Sequence, residues 1–472
     1  MSAATTATSD SGDSQPTAGD SAAEPGGAAD VPGDPAFAPS GKAGPSSAPP
    51  EPDTAPSRLI SSRLPAVLRR PDFRRYWLGQ SVSLVGDEVH RIAMPLAAVL
   101  LFGAGATGMA WLTAAPLIPS LLLSIPAGVW ADRRASRREI MLVADLGRFV
   151  AVASIPVAYA FGVLTLAQLI VSALIIGTLQ VFFNVASNTL FAAMVPAGEL
   201  VPATALTNGS RAFAFFSGPS LGGLLVQVFR APFALVADAV SYLASAFTLG
   251  RISPVEPAPE ERRKGGYLSG LRWVVRTPGV RAMQGTVACL NLFDFVFQAL
   301  FVLYAVRHLH ISAGVLGLVL GAGAIGGLAG AALCGRVVAR LGFGAGIAVG
   351  CVGFAAPHVL APLAAGPKAV IVLTLFAMEF CVGFGGMILD ISAGAYLTAV
   401  MPDTLRSRIS GVLQTVNYGI RPIGALLGGW LASVVGIRDT LWISAIGSTL
   451  AVLFILPSPL RTLRELPGAL PG

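Results

Sequence analysis

Residues 107–138 read TGMAWLTAAPLIPSLLLSIPAGVWADRRASRR. The run 107–130 carries no charge, and Asp132, Arg133, Arg134, Arg137 and Arg138 follow at once. A helix needs about 20 apolar residues to cross a bilayer, so this run is long enough. An abrupt arginine cluster marks the end of such a span at a cytoplasmic face, where Lys and Arg accumulate. Working outward, the same pattern recurs. Twelve spans lie near 76–102, 107–130, 139–161, 165–192, 203–228, 231–250, 281–304, 312–334, 343–364, 368–392, 405–434 and 438–457. The longest loop, 251–280, divides them into an N-terminal half of six (58–250) and a C-terminal half of six (281–460). The expected fold is an all-α membrane protein: twelve transmembrane helices in two pseudo-symmetric halves.

Composition points the same way. Of 472 residues, 54% are apolar and 12% charged, with a mean hydropathy of +0.70. Soluble domains carry about 25% charged residues, so lipid is the solvent this chain expects. The net charge of +7 is uneven. Residues 1–57 hold eight acids against Lys42, giving −7 and leaving +14 for the body. That tail is rich in Ala, Pro, Gly and Ser, which predicts a disordered cytoplasmic extension. It has no basic n-region and no apolar h-region, so it does not read as a signal peptide.

With the tail in the cytoplasm, 23 basic residues in the loops and at the span ends fall on that face, including those of the short C-terminal tail 461–472. The other face has four: Arg230, Arg307, Lys368 and Arg438. This asymmetry predicts cytoplasmic termini in a cell membrane. It spreads charge along a rim and offers no patch for nucleic acid. Arginine-dominated basic content with abundant Ala and Gly suggests a GC-rich bacterial source.

The halves echo each other. Gly128-Val-Trp-Ala-Asp132-Arg133 matches Gly335-Arg-Val-Val-Ala339-Arg340 at an offset of 207. Val195-Pro196 matches Met401-Pro402, and Gly222-Gly223 matches Gly428-Gly429, both at 206. Gln80 and Asp87 are echoed by Gln284 and Asn291 at 204. Parallel repeats of this kind imply a transporter with its substrate site near the midplane, between the halves.

Three stretches resemble the major facilitator superfamily. Gly128, Asp132, Arg133 and Arg137 match its loop motif between spans two and three, with Ala135 and Ser136 departing from it. Gly218-Pro219-Ser220-Leu221-Gly222-Gly223 is similar to the span-five motif of drug/proton antiporters, with Ala214 in place of its upstream glycine. Asp72 to Gln80 and Ser83 to Asp87, with Asp238 and Tyr242, resemble the branch of enterobactin and macrolide exporters. The resemblance implies a cytoplasmic gate at the first motif and an exporter-type hinge at the second. Pro219 can kink its helix and the glycines permit close approach. Leu174–Asn188 lacks the arginine that many proton antiporters carry in span four.

Ionisable residues inside spans are costly and default to function. Asp87 lies roughly 15 Å deep at 1.5 Å per residue, with His90 at i+3 and Arg91 at i+4. It reads as a proton or cation site, or as half of a structural Asp87–Arg91 pair. Asp294 is similarly deep in span seven, near Asn291. Asp145 and Arg148 read as a local pair. Arg211, Asp238, Glu379 and Asp390 line the cavity or pair between helices. Leu268, Leu271, Val274 and Val275 give Tyr267–Ala282 the pattern of a helix on the membrane surface.

Other chemistries find little support. Gly321-Ala-Gly323-Ala-Ile-Gly326 lies inside a span, without the strand and acid of a dinucleotide site. His308 and His310 are too few ligands for a metal. Cys289, Cys334, Cys351 and Cys381 sit in apolar runs with no metal or disulfide spacing. There is no phosphate-binding loop for an ATP-driven pump. The expectation is therefore a non-enzymatic secondary transporter, with no cofactor or metal. It would be a monomeric proton-coupled exporter of a drug, siderophore or secondary metabolite, with protons and lipid as its other partners. The Phe-rich spans suit a bulky, apolar or amphiphilic cargo. Uptake by the same fold, or a non-transporting receptor or scaffold, are the competing readings.

Overall fold

A computed structural model describes residues 66–132, 136–253 and 267–464. The tail 1–57, the centre of the loop 251–280 and the chain beyond 464 lie outside the described residues, as does Arg133. Among the described residues the secondary structure is helical and no strand occurs. The helices are α1 (Pro71–Phe102), α2 (Ala106–Ala114), α3 (Ile118–Asp132), α4 (Arg137–Ala160), α5 (Leu166–Met194), α6 (Leu200–Phe229) and α7 (Ala231–Gly250). They continue as α8 (Tyr267–Arg276), α9 (Pro278–Arg307), α10 (Ala313–Leu341), α11 (Phe343–Ala355), α12 (Leu360–Leu363), α13 (Lys368–Val400), α14 (Arg406–Val435) and α15 (Ile437–Leu450).

Among the described residues, eleven helical segments are long and apolar enough to cross a membrane. The twelfth run read from the sequence is α1. It is 32 residues long, but Asp87, Glu88 and Arg91 fall together in its middle and break the apolar pattern. Lipid offers no partner for backbone amides, so each span must satisfy its own as a helix. Side chains help at the ends: Ser136 Oγ accepts from the Glu139 amide and Thr165 Oγ1 from the Gln168 amide, each at 3.2 Å.

Prolines cut two spans. Pro116 separates α2 from α3, and Pro357 lies in the 3-10 turn Ala356–Val359 between α11 and α12. Proline also corrects the surface-helix reading of Tyr267–Ala282. That stretch is two elements: α8 stops at Arg276, Thr277 is extended, and Pro278 opens α9. α8 docks on α14, where Arg408 Nη1 donates to Ser269 Oγ at 3.3 Å.

Helix starts also correct the repeat register. Pro71 opens α1 and Pro278 opens α9 at a separation of 207. On that register Asp87 corresponds to Asp294, and the pairing of Asp87 with Asn291 is one helical turn out.

The arginines gather at one end of the bundle. There Arg75 Nη1 donates to the Arg251 carbonyl at 3.0 Å and Arg138 Nε to the Leu249 carbonyl at 2.8 Å. Near the opposite end one large apolar core joins helices from before residue 253 with helices from after 267. At the arginine-rich end the buried cores are separate. Tyr76, Met141, Phe183 and Leu249 belong to one, and Met283, Ile347, Leu389 and Ile409 to another. The seams between the two sets run along α6 with α10 and α2 with α14. They are tight toward the opposite end: a Cβ on Gly223 would lie 2.8 Å from Gly317 Cα, and one on Gly429 2.4 Å from Ala110 Cβ. On α14 toward the arginine-rich end, Gly411 has nothing within 4 Å of that position. The bundle is sealed at one end and parted at the other.

Candidate functional site

Helices α1, α4, α5 and α7 converge on Arg148. Its guanidinium donates to Asp145 one turn earlier and to Gln180 Oε1 on α5. It also lies 4.2 Å from the Phe183 ring centre and 4.5 Å from that of Tyr242, so two aromatic faces cover it. The Tyr242 hydroxyl donates to Asp87 Oδ1 at 2.5 Å. His90 Nδ1 stands 2.8 Å from Asp238 Oδ2. Asp145, Arg148 and Asp238 are fully buried. Gly86 allows the approach of α7, because a Cβ there would lie 2.1 Å from Ser241 Oγ and 2.8 Å from Asp238 Oδ1.

The charge count of this cluster matters. Three carboxylates, Asp87, Asp145 and Asp238, face one arginine and one histidine. An uncompensated buried charge is strongly unfavourable. The cluster approaches neutrality only with protons on His90 or on its carboxylates.

The expected Asp87–Arg91 pair is not formed. Residues 87 and 90 share one face of α1 and meet α7. Residues 88 and 91 share another, and there Arg91 pairs with Glu88 and lies 5.4 Å from the Phe215 ring centre. Spacing of i,i+3 wins over i,i+4 because α7 supplies the partners. Asp145 and Arg148 do pair, but they also reach α5 and α7.

A second cluster is built on α9. Asp294 Oδ2 accepts from Gln298 Nε2 at 2.9 Å, and its Oδ1 stands 3.5 Å from His358 Nε2. His358 sits in the 3-10 turn after α11, its Nδ1 3.2 Å from the Ala355 carbonyl oxygen. Its ring lies edge-on to Phe297 and Phe354, at 4.4 and 5.7 Å between centroids. Glu379 on α13 packs against Gly323 of α10 and acts through space on His358, Asp294 and Arg91. Asn291 belongs to the α9–α14 contact, where it accepts from Arg421 Nε at 2.9 Å. Arg211 and Asp390 are exposed on α6 and α13 and join neither cluster.

The glycine-proline motif lies on α6 where it meets α1 and α10. A Cβ on Gly218 would overlap Glu88 Cβ at 2.1 Å, and one on Gly222 would sit 3.2 Å from Val89 Cα. Pro219 is buried, and its carbonyl lies 2.5 Å from a Cβ built on Gly317. Of the loop motif, Gly128 lies within α3 and Asp132 ends it. Arg137 opens α4, is buried, and donates to the Ala131 carbonyl. An apolar cavity of about 970 Å³ lies among α1, α6 and α7, with Val82, Phe213 and Ala237 in its walls. Gly86 and Ser241 back it onto Asp238.

Sequence reasoning missed the Tyr242 hydroxyl as a partner of Asp87, and also Gln180, Gln298 and His358. The last was findable, since any ionisable side chain within a span is a functional candidate.

Comparisons with known proteins agree with this architecture. The family model described as transmembrane secretion effector matches residues 62–467. The multidrug efflux pump Tap of Mycolicibacterium fortuitum is 28% identical over 401 residues, covering 81% of this chain and 93% of that protein. Its namesake in Mycobacterium tuberculosis is 26% identical over 378 residues, covering 76% and 86%. Among solved structures, a bacterial homologue of the iron transporter ferroportin in an inward-facing state aligns with a TM-score of 0.67 at 16% identity, covering 83% and 98%. A bacterial homologue of the lysosomal transporter Spinster, also inward-facing, aligns at 0.63 and 13% identity, covering 84% and 100%. Matched over nearly all its described length, the chain belongs to the transmembrane secretion effector family, a group of drug-exporter-type transporters in the major facilitator superfamily.

Proposed function

We propose that this transporter exports small amphiphilic organic molecules in exchange for protons, alternating between a state parted at the arginine-rich end and one parted at the other. The arginine-rich end faces the cytoplasm of a bacterial cell, as the 23-to-4 distribution of basic residues favours. One observation carries the proton assignment. Asp87, Asp145 and Asp238 share a single arginine, so the α1–α4–α7 cluster must bind protons to approach neutrality. Proton binding and release there changes the charge of a site between helices, which is what coupling requires. Export is favoured by the Gly218–Gly223 motif at the seam. Likeness to pumps named for multidrug efflux and the apolar cavity, at the upper size of drug pockets, support an amphiphilic cargo.

The test is a panel of dyes, antibiotics and siderophores in a host lacking its own pumps. Cells producing the protein should accumulate less of at least one compound, and collapse of the proton gradient should restore accumulation. Increased accumulation would indicate uptake and overturn the assigned direction. Lowered accumulation that survives loss of the gradient would overturn proton coupling.

A further inference from the structure

Asp87 and Asp294 occupy the same register in α1 and α9, yet they are balanced differently. Near Asp87 stands Arg148, a permanent cation. Beside Asp294 stands His358, whose charge depends on a proton. The hydrogen-bond geometry of His358 makes this difference informative. Its Nδ1 faces the Ala355 carbonyl oxygen at 3.2 Å. A carbonyl only accepts, so Nδ1 carries a hydrogen. In the neutral ring Nε2 is then a bare lone pair. That lone pair faces Asp294 Oδ1 at 3.5 Å, and an ionised carboxylate is also only an acceptor. Two acceptors held face to face repel until one proton lies between them.

Charged groups reach the pair from several elements. The pair is buried. From α13, Glu379 adds a second carboxylate. From α14, Arg421 reaches Asp294 through space, and from α1, Arg91 reaches Glu379. α11 and α12 bring no charged residue. α15 presents buried Thr440 and Ser444, with its Arg438 and Asp439 exposed.

We propose that His358 Nε2 and Asp294 Oδ1 form a one-proton site, and that this site takes up and releases a driving proton. In the loaded state the proton rests on Nε2, giving an imidazolium paired with the Asp294 carboxylate. Release returns the neutral ring and leaves the two acceptors opposed. α9 and the turn between α11 and α12 must then separate to relieve that repulsion. The role in driving transport rests on the proton-coupled reading above; the proton site itself does not.

The test uses the full chain with nitrogen-15-labelled histidine in lipid nanodiscs. The chain has four histidines, and His358→Gln assigns the signal of interest by its disappearance. At pH 7 the His358 ring should carry hydrogens on both nitrogens, and in Asp294→Asn on Nδ1 alone. A wild-type ring with a bare Nε2, or a ring unaltered by Asp294→Asn, would overturn the site. The second arm follows proton movement in inverted vesicles with ethidium, a fluorescent amphiphilic cation, or another compound exported in the panel. His358→Gln can still donate to Asp294 but cannot titrate, so the compound should bind as before while its proton exchange is lost. Retained exchange in His358→Gln would overturn the driving role. Absence of exchange in the wild type would count against the proton-coupled function, and the nanodisc spectra would still decide the site.

Discussion

Arg148 is the residue on which the first polar cluster turns. It is the cation that three carboxylates share, and it is covered by Phe183 and Tyr242. Breaking a buried ion pair by removing one partner costs about 3–5 kcal/mol. Arg148→Met should therefore unfold in detergent at a markedly lower temperature than the wild type. The defect should be smaller at pH 5 than at pH 8. Acid protonates the stranded carboxylates and removes the repulsion, so the folded state gains stability as pH falls. A variant with wild-type melting at pH 8 would contradict the role assigned to Arg148. Little of this was legible in the sequence. Asp87, Asp145 and Asp238 were visible as charges inside apolar runs, but partners from helices more than a hundred residues apart leave no local pattern. The Asp87–Arg91 expectation failed for that reason: spacing along α1 does not show α7, whose Tyr242 takes Asp87.

At the scale of helices, the seam between α6 and α10 depends on the absence of side chains. A Cβ on Gly223 would lie 2.6 Å from the Ala313 carbonyl oxygen, which is rigid backbone. Gly223→Leu should hold this end of the bundle apart. It should insert and reach normal abundance, yet export should fall to background in whole-cell accumulation assays. Gly222→Leu, against Val89 and Ile92 of α1, should stall or leak as well. Gly394→Ala on α13 is the control, with nothing within 4 Å of that position, and should export like the wild type. Normal export by Gly223→Leu would remove the seam from the mechanism. Elements were the most legible level. Apolar runs long enough to span lipid must be helices, and Pro and Gly mark their breaks. The exceptions followed backbone chemistry: Pro278 split the amphipathic stretch that composition alone had joined.

For the whole molecule, the decisive feature is one shared core at one end and separate cores at the other. The sequence carried the repeat and the arginine asymmetry but could not specify which end is sealed, because that depends on how the two sets of helices meet. A transporter that alternates must reverse the arrangement. Spin labels at Val201 and Leu341, near the arginine-rich end of α6 and α10, should approach each other when protons or cargo shift the population. Labels at Val228 and Ser312, at the sealed end, should separate under the same conditions. Motion of both pairs in one direction would contradict rocking about a central seam.

The most direct measurement follows protons and cargo together. Inverted membrane vesicles containing the protein are energised until their interior is acid, and an exported compound from the panel is added. The account predicts that the interior becomes less acid as compound enters, in proportion to the amount of transporter, and that Asp87→Asn abolishes this response. An interior pH that stays constant while the compound is transported would contradict proton-coupled export.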